Sequence, residues 1–208
     1  MLGEKIQAEH LPSQALYFSV KQSTFPFDRF IKDDIILGPK MRSTGETMGI
    51  DFDKNSAVLK SYLANYPSIA TPGKILISLS NTTKEAILPY ISKLANLGYS
   101  FYATPGTCSQ IKALGFNCEM VAKLQTDHLE LINLLKDNET RLVFNTPTLE
   151  KVSKSDGEVI RNTAIQHGVP CFTLPENIKA VIESLITTKI EHLNPYPLQD
   201  LTNEYSPR

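Results

Sequence analysis

From residue 74 onward, short apolar runs alternate with longer stretches of helical spacing. KILISL (74–79) reads as a strand. NTTKEAILPYISKLANLG (81–98) reads as a helix, capped by Asn81, Thr82 or Thr83 and stopped at Gly98. SFYA (100–103) is a second strand and CSQIKALG (108–115) a short helix closed by Gly115. NCEMV (117–121), RLVFN (141–145) and VPCFT (169–173) continue the strands. HLELINLLKDN (128–138), GEVIRNTAIQHG (157–168) and ENIKAVIESLIT (176–187) continue the helices. Five strand–helix units predict an α/β fold, a five-stranded, mainly parallel sheet with helices on both faces.

The chain before this region is different. Residues 1–55 are rich in proline, glycine and charge, hold little sustained periodicity, and predict an irregular segment that cannot stand alone and must pack on something else. A helical pattern over 56–69 (Val58, Leu59, Tyr62, Leu63) stops before Pro67, and TPG at 71–73 is a turn. The expected organisation is therefore an N-terminal segment 1–55, an α/β domain 56–190 and a polar, proline-containing tail 191–208 that is expected to be loose.

Composition narrows the function. The 208 residues are 41% hydrophobic and 21% charged, as in a soluble globular protein. A net charge of −1 and the lack of a basic stretch argue against nucleic acid as a partner. No apolar run reaches the roughly 20 residues of a membrane span, and the polar start MLGEKIQAEH lacks a signal core, so the expected location is the cytoplasm. Cys108, Cys118 and Cys171 form no CxxC pair and read as ordinary buried thiols. The four histidines are scattered, so no zinc motif emerges.

In an open α/β sheet, ligands bind beyond the carboxyl ends of the strands. The residues there include Ser78 to Lys84, Thr104 to Thr107, Val121 to Lys123 and Asn145 to Thr148. They supply hydroxyls, amides and two lysines but almost no carboxylate, which suits an anion, above all a phosphate at a helix N-terminus. The bland alternatives stand beside this: Thr104 and Thr107 as plain helix caps, and Lys84 and Lys123 as solvated surface lysines.

LGPKMRSTGETMGID (37–51), preceded by PFDRF (26–30), is the most specific string in the chain. It resembles the end of the second ATP-grasp half of the carbamoyl-phosphate synthetase large subunit, departing at Lys40 and Thr47. The α/β unit after it resembles the methylglyoxal-synthase-like regulatory domain of the same subunit. The resemblance runs from about Leu11 to Leu185. It implies an allosteric domain that binds a nucleoside monophosphate, UMP or IMP. Lys84, Thr104, Gly106 and Thr107 would hold the phosphate, and Lys123, Asn145 and Ser78 would lie at ribose and base. Pro147 stands where that family carries a threonine, and Phe172 where bacterial members carry an aspartate for ornithine.

The resemblance also implies that ATP and Mg²⁺ belong to upstream domains, with no cofactor and no metal in this chain. Its partners would be the remaining large-subunit domains and the glutaminase small subunit, serving arginine and pyrimidine biosynthesis. The chain is not expected to make carbamoyl phosphate alone. Two other readings compete. A methylglyoxal-synthase-type lyase would need an aspartate that Asn145 replaces. A protein-interaction module would keep only a vestigial ligand site.

Overall fold

The computed structural model describes residues 17–24, 45–121, 128–137, 139–147, 156–197 and 199. The first two strands, β1 (Phe18–Thr24) and β2 (Gly45–Asp51), pair antiparallel, with Val20 opposite Gly49 and Gln22 opposite Thr47. Sequence reading foresaw no strand here, because the apolar positions are few. The ribbon gains its support from the helix that follows, α1 (Lys54–Leu63). A Cβ on Gly49 would lie 2.0 Å from the carbonyl oxygen of Ala57, so only glycine lets strand and helix approach this closely. The helix is capped by Asp53, whose carboxylate accepts from the Ser56 N–H at 2.8 Å.

A second fastening lies at the same junction. Lys60 Nζ pairs with Asp51 at 2.8 Å, donates to the Ile50 carbonyl at 3.0 Å and to the Asn194 carbonyl, and sits 4.4 Å from the Tyr196 ring centre. Tyr196 meets Phe52 edge-on at 5.4 Å. Residues near the end of the described chain thus rest on the ribbon–helix junction.

The remaining elements alternate: β3 (Lys74–Ser78), α2 (Asn81–Ile87), α3 (Ile91–Asn96), β4 (Ser100–Ala103), α4 (Pro105–Ala113), β5 (Cys118–Met120), α5 (His128–Lys136), β6 (Thr140–Asn145), α6 (Asp156–Gln166), β7 (Cys171–Phe172) and α7 (Pro175–Thr187). The five strands β3 to β7 form one sheet in the order β5-β4-β3-β6-β7, every neighbouring pair parallel. Ile75 and Ile77 face one buried cluster, shared with α1, α2, α3, α4 and α7. Leu76 and Val143 face the other, shared with α5 and α6. The expected sheet with helices on both faces is what the chain builds.

Local departures have local causes. The long helix expected over 81–98 is broken by a 3₁₀ turn at Leu88–Tyr90, where Pro89 has no N–H to donate. Ser80, not Asn81, Thr82 or Thr83, is its N-cap. The helix expected from Cys108 begins earlier, with Pro105 in its first turn and Thr104 as N-cap. Gly98, Gly115 and Gly168 stop their helices in left-handed conformations, with φ of 89°, 87° and 67°. Phe172 is a core residue: its ring meets those of Tyr62 at 5.3 Å and Phe144 at 6.1 Å.

Candidate functional site

The chain leaves β3 toward β4 and β5, then returns across β3 to place β6 on its other side. Strands β3 and β6 therefore flank the point where the winding reverses, and the crevice beyond their carboxyl ends is where such sheets take ligands. Ser78 and Asn145 face each other in register at those ends, and the Thr146 N–H donates to the Ser78 carbonyl at 3.0 Å. The Thr104 N–H donates to the Ile77 carbonyl at 3.2 Å, which brings the start of α4 to the same rim.

Lys84 is the central feature. It is only 8% exposed, though the sequence also allowed a solvated lysine. Its Nζ donates to Asn81 Oδ1 at 2.8 Å, and among the described residues no carboxylate stands within 4 Å of it. It lies 3.4 Å from where a Cβ on Gly106 would stand, against the first turn of α4. A buried lysine without an acidic partner is costly unless an anion completes the site.

Hydroxyl groups line the same rim. Thr146 Oγ1 accepts from the Ser80 N–H at 2.8 Å and lies 2.7 Å from Thr83 Oγ1. Ser80 Oγ is 3.0 Å from both Thr82 Oγ1 and Thr83 Oγ1. Thr107, 1% exposed, accepts from the Leu79 N–H at 3.3 Å and so ties the β3–α2 loop to α4. Thr104 makes no side-chain capping bond; its hydroxyl faces that of Thr107 at 3.5 Å.

Asn145 closes the other side. It is 1% exposed, and its Oδ1 accepts from the guanidinium of Arg161, itself 3% exposed, at 2.8 Å. Its Nδ2 is buried with no hydrogen-bond partner among the described residues. An unmet buried donor costs about 1–3 kcal/mol, which is a reason to expect a ligand acceptor there. The α6 N-terminus packs tightly at this point: a Cβ on Gly157 would lie 3.1 Å from the guanidinium and 3.3 Å from Asn145 Oδ1.

Of the residues singled out from the sequence, Ser78, Lys84, Thr104, Gly106, Thr107 and Asn145 sit in the loops and strand ends around this crevice. Lys123 lies outside the described residues. Sequence reading placed Ser80, Asn81, Thr83 and Thr146 on this rim but not the bonds that join Ser80, Thr83 and Thr146 to one another and Asn81 to Lys84, and it missed Arg161. Their one signal was hydroxyl and amide density after β3 and β6.

Cys108 and Cys118 are buried, and burial, reinforced by a hydrogen bond with Cys108, pushes the Cys118 thiol up to about 12. Among the described residues, no helix is long and apolar enough to cross a membrane, and no cluster of three or more His, Cys, Asp or Glu could hold a metal ion.

Comparison with known proteins places this arrangement. Residues 86–173 match the family model of the MGS-like domain, so the chain carries a domain of that class. Along nearly its whole length it is homologous to carbamoyl phosphate synthase large chains. It is 36% identical over 208 residues to the carbamoyl phosphate synthase large chain of Rhodopirellula baltica, covering 99% of this chain and 19% of that one. It is 34% identical over 191 residues to the large chain, C-terminal section, of Methanopyrus kandleri, covering 91% and 35%. The C-terminal section of Aquifex aeolicus is 36% identical over 182 residues, covering 88% and 34%. The chain thus spans about a fifth to a third of the length of these relatives.

Proposed function

We propose that this chain is the allosteric, effector-binding part of a carbamoyl-phosphate synthetase, and that its ligand is a nucleoside monophosphate, UMP or IMP. The phosphate sits between Lys84 and the first turn of α4, held by Thr104, Gly106 and Thr107. Ribose and base extend toward Ser78, Asn145 and Lys123. The observation that carries the reading is the burial of Lys84 without an acidic partner among the described residues, beside the opening of a nine-residue helix. The positive end of that helix adds to the attraction for a phosphate.

The chain acts with other domains of the synthetase and its glutaminase subunit in arginine and pyrimidine biosynthesis, within the cytoplasm. ATP and Mg²⁺ act in those upstream domains, and the chain by itself forms no carbamoyl phosphate. Residues 1–55 are the end of an ATP-grasp unit, which the ribbon joins to the regulatory domain spanning 56–190. With the core ring of Phe172 where bacterial members of that family carry an aspartate, the synthetase containing this chain is expected to respond to nucleotides but weakly or not at all to ornithine.

Calorimetric titration with UMP and IMP tests the reading. A charge-assisted hydrogen bond is worth roughly 1.5–3 kcal/mol, so Lys84→Met weakens binding about 10- to 100-fold. Equal affinity of the two proteins, or no binding of either nucleotide, overturns the site. Turnover of dihydroxyacetone phosphate by the pure chain would instead support a lyase.

A further inference from the structure

We infer that the amino-terminal end of the sheet holds a second ligand site, in which Arg141 takes the carboxylate of a small molecule whose apolar body fills the hollow between the end of α7 and the turns that lead into β3 and β4. This site lies at the far end of the strands from Lys84 and does not depend on the nucleotide reading above.

Arg141 is an extra residue at the start of β6. Lys74 stands opposite Thr140 but Ile75 stands opposite Leu142, so one residue of β6 has no counterpart on β3. The faces change across it. Thr140 Oγ1 donates to the Leu134 carbonyl of α5, whereas Leu142 lies in the cluster on the other side of the sheet. A bulge of this kind re-aims a side chain. Gly73 leaves room for it, since a Cβ there would stand 2.7 Å from Arg141 Cγ and 3.0 Å from Nε. The outcome is a half-buried guanidinium. Its Nε is buried without an acceptor, and among the described residues no carboxylate lies within 4 Å of it. Asp137 and Glu139, close by in the chain, both turn to Lys74 instead, at 3.0 and 2.6 Å. An unmet buried donor is a reason to expect an acceptor from outside the chain.

The hollow measures about 390 Å³, the scale of a small-molecule site. Pro72, Leu97, Tyr99, Ile186 and Ile190 give it apolar walls. The Tyr99 hydroxyl already donates to the Ile69 carbonyl at 2.9 Å, so Tyr99 offers a ligand its ring. Arg141 stands close behind this wall. It packs on Gly73, next to Pro72, and its charge opposes the burial that pushes the Tyr99 phenol up to about 12. At the rim, Lys189 has no carboxylate within 4 Å among the described residues, and Glu191 lies 3.9 Å from His192. With Arg141 beside Lys189, the balance favours an anionic head. In a parallel α/β sheet the helices begin at the other end, so this end meets their negative C-terminal poles, that of α7 among them. Those poles oppose a phosphate dianion and leave a single carboxylate on the planar fork of Arg141. They also set the orientation: the head lies toward β6 and the apolar body beneath the end of α7.

The test is calorimetric titration of the full chain with octanoate, octanol, octylamine and acetate. Octanoate is expected to bind one to one and about 10- to 100-fold tighter than octanol, as a charge-assisted hydrogen bond provides. Octylamine has the wrong head and acetate lacks the body, so neither binds better than octanol. Arg141→Met brings octanoate down to the level of octanol. Ala70→Phe, which fills the hollow from its wall, weakens both. Circular dichroism melts establish that each variant is folded; if one is not, the octanoate-to-octanol ratio of wild type decides. Absence of saturable octanoate binding, or equal binding of octanoate and octanol by wild type, overturns the inference. Undiminished octanoate binding by folded Arg141→Met or folded Ala70→Phe overturns it equally. Neither variant touches Lys84 or the first turn of α4, so failure here leaves the nucleotide site standing, and failure of UMP and IMP to bind leaves this inference standing.

Discussion

Lys84 Nζ and the α-carbon of Gly106 approach so closely that an added Cβ would stand 3.4 Å from the amino group, although the two residues belong to successive strand–helix units. That distance is ordinary van der Waals contact, so the fold tolerates a methyl there, but the methyl occupies the space beside the amino group. Gly106→Ala is expected to melt within a few degrees of wild type and to lose nucleotide affinity by on the order of tenfold or more, because the backbone no longer admits close approach of a ligand. Differential scanning calorimetry and isothermal titration check the two halves separately. A variant that binds UMP or IMP normally would place the phosphate elsewhere.

The two threonines of the α4 turn are predicted to separate into different roles. Thr107 is buried and holds the Leu79 N–H, so Thr107→Val leaves that donor unmet and costs about 1–3 kcal/mol of stability. Thr104 makes no capping bond, so Thr104→Ala costs no more than about 0.5 kcal/mol. Both variants lose roughly 1 kcal/mol of nucleotide binding. Urea denaturation of the pair alongside wild type reads the difference; equal destabilisation contradicts the division.

Gly49→Ala tests the seat of the ribbon. With a Cβ 2.0 Å from the Ala57 carbonyl oxygen and 2.6 Å from the Ser61 nitrogen, β2 must lift from α1. Overpacking of this kind typically costs about 1–3 kcal/mol. Hydrogen exchange is expected to quicken across 18–24 and 45–51 while β3, β4 and β6 stay protected. Uniform loss of protection would mean that ribbon and sheet unfold as one unit.

The same junction carries an acid dependence. Burial pushes the Asp51 carboxyl up, but the Lys60 hydrogen bond, the backbone N–H groups of Asp53 and Phe52 and the Lys60 charge together outweigh it. The net result is a pKa below the ordinary 3.8. A carboxyl depressed on folding stabilises the protein above its unfolded pKa and loses that contribution as pH falls through the folded value. Asp137, whose burial is outweighed by the Glu139 N–H and Lys74, behaves in the same sense. Melting temperature should therefore fall below about pH 4, and Asp51→Asn should lower it at neutral pH while flattening the acid limb. An unchanged slope in the variant contradicts the role given to Asp51.

Much of this architecture could be read from the residues because the signals were redundant. KILIS and RLVFN are dense apolar runs, and each of three helices ends at a glycine that the structure places at positive φ. The ribbon was not legible: its strands carry few apolar residues, and they become strands by resting on α1 through Gly49, a tertiary contact without a local trace. At the site, the TPGT turn was visible as a strand-to-helix junction. The burial of Lys84 was not, since a lysine after two threonines looks the same whether or not a loop from another unit closes over it. Arg161 was hidden for a related reason. An arginine in a polar helix reads as solvent-facing until β6 supplies the amide that it holds.

The brevity of the outer strands has a consequence for how the chain behaves in a crowded cell. β5 and β7, at the two edges of the sheet, are three and two residues long. Unpaired strand edges are templates for sticking to other molecules, and short edges blunt that hazard. With borders this narrow, the sheet gives a passing polypeptide almost no backbone to zip onto. At these two borders the five-stranded sheet therefore offers few backbone groups on which a foreign strand could extend it.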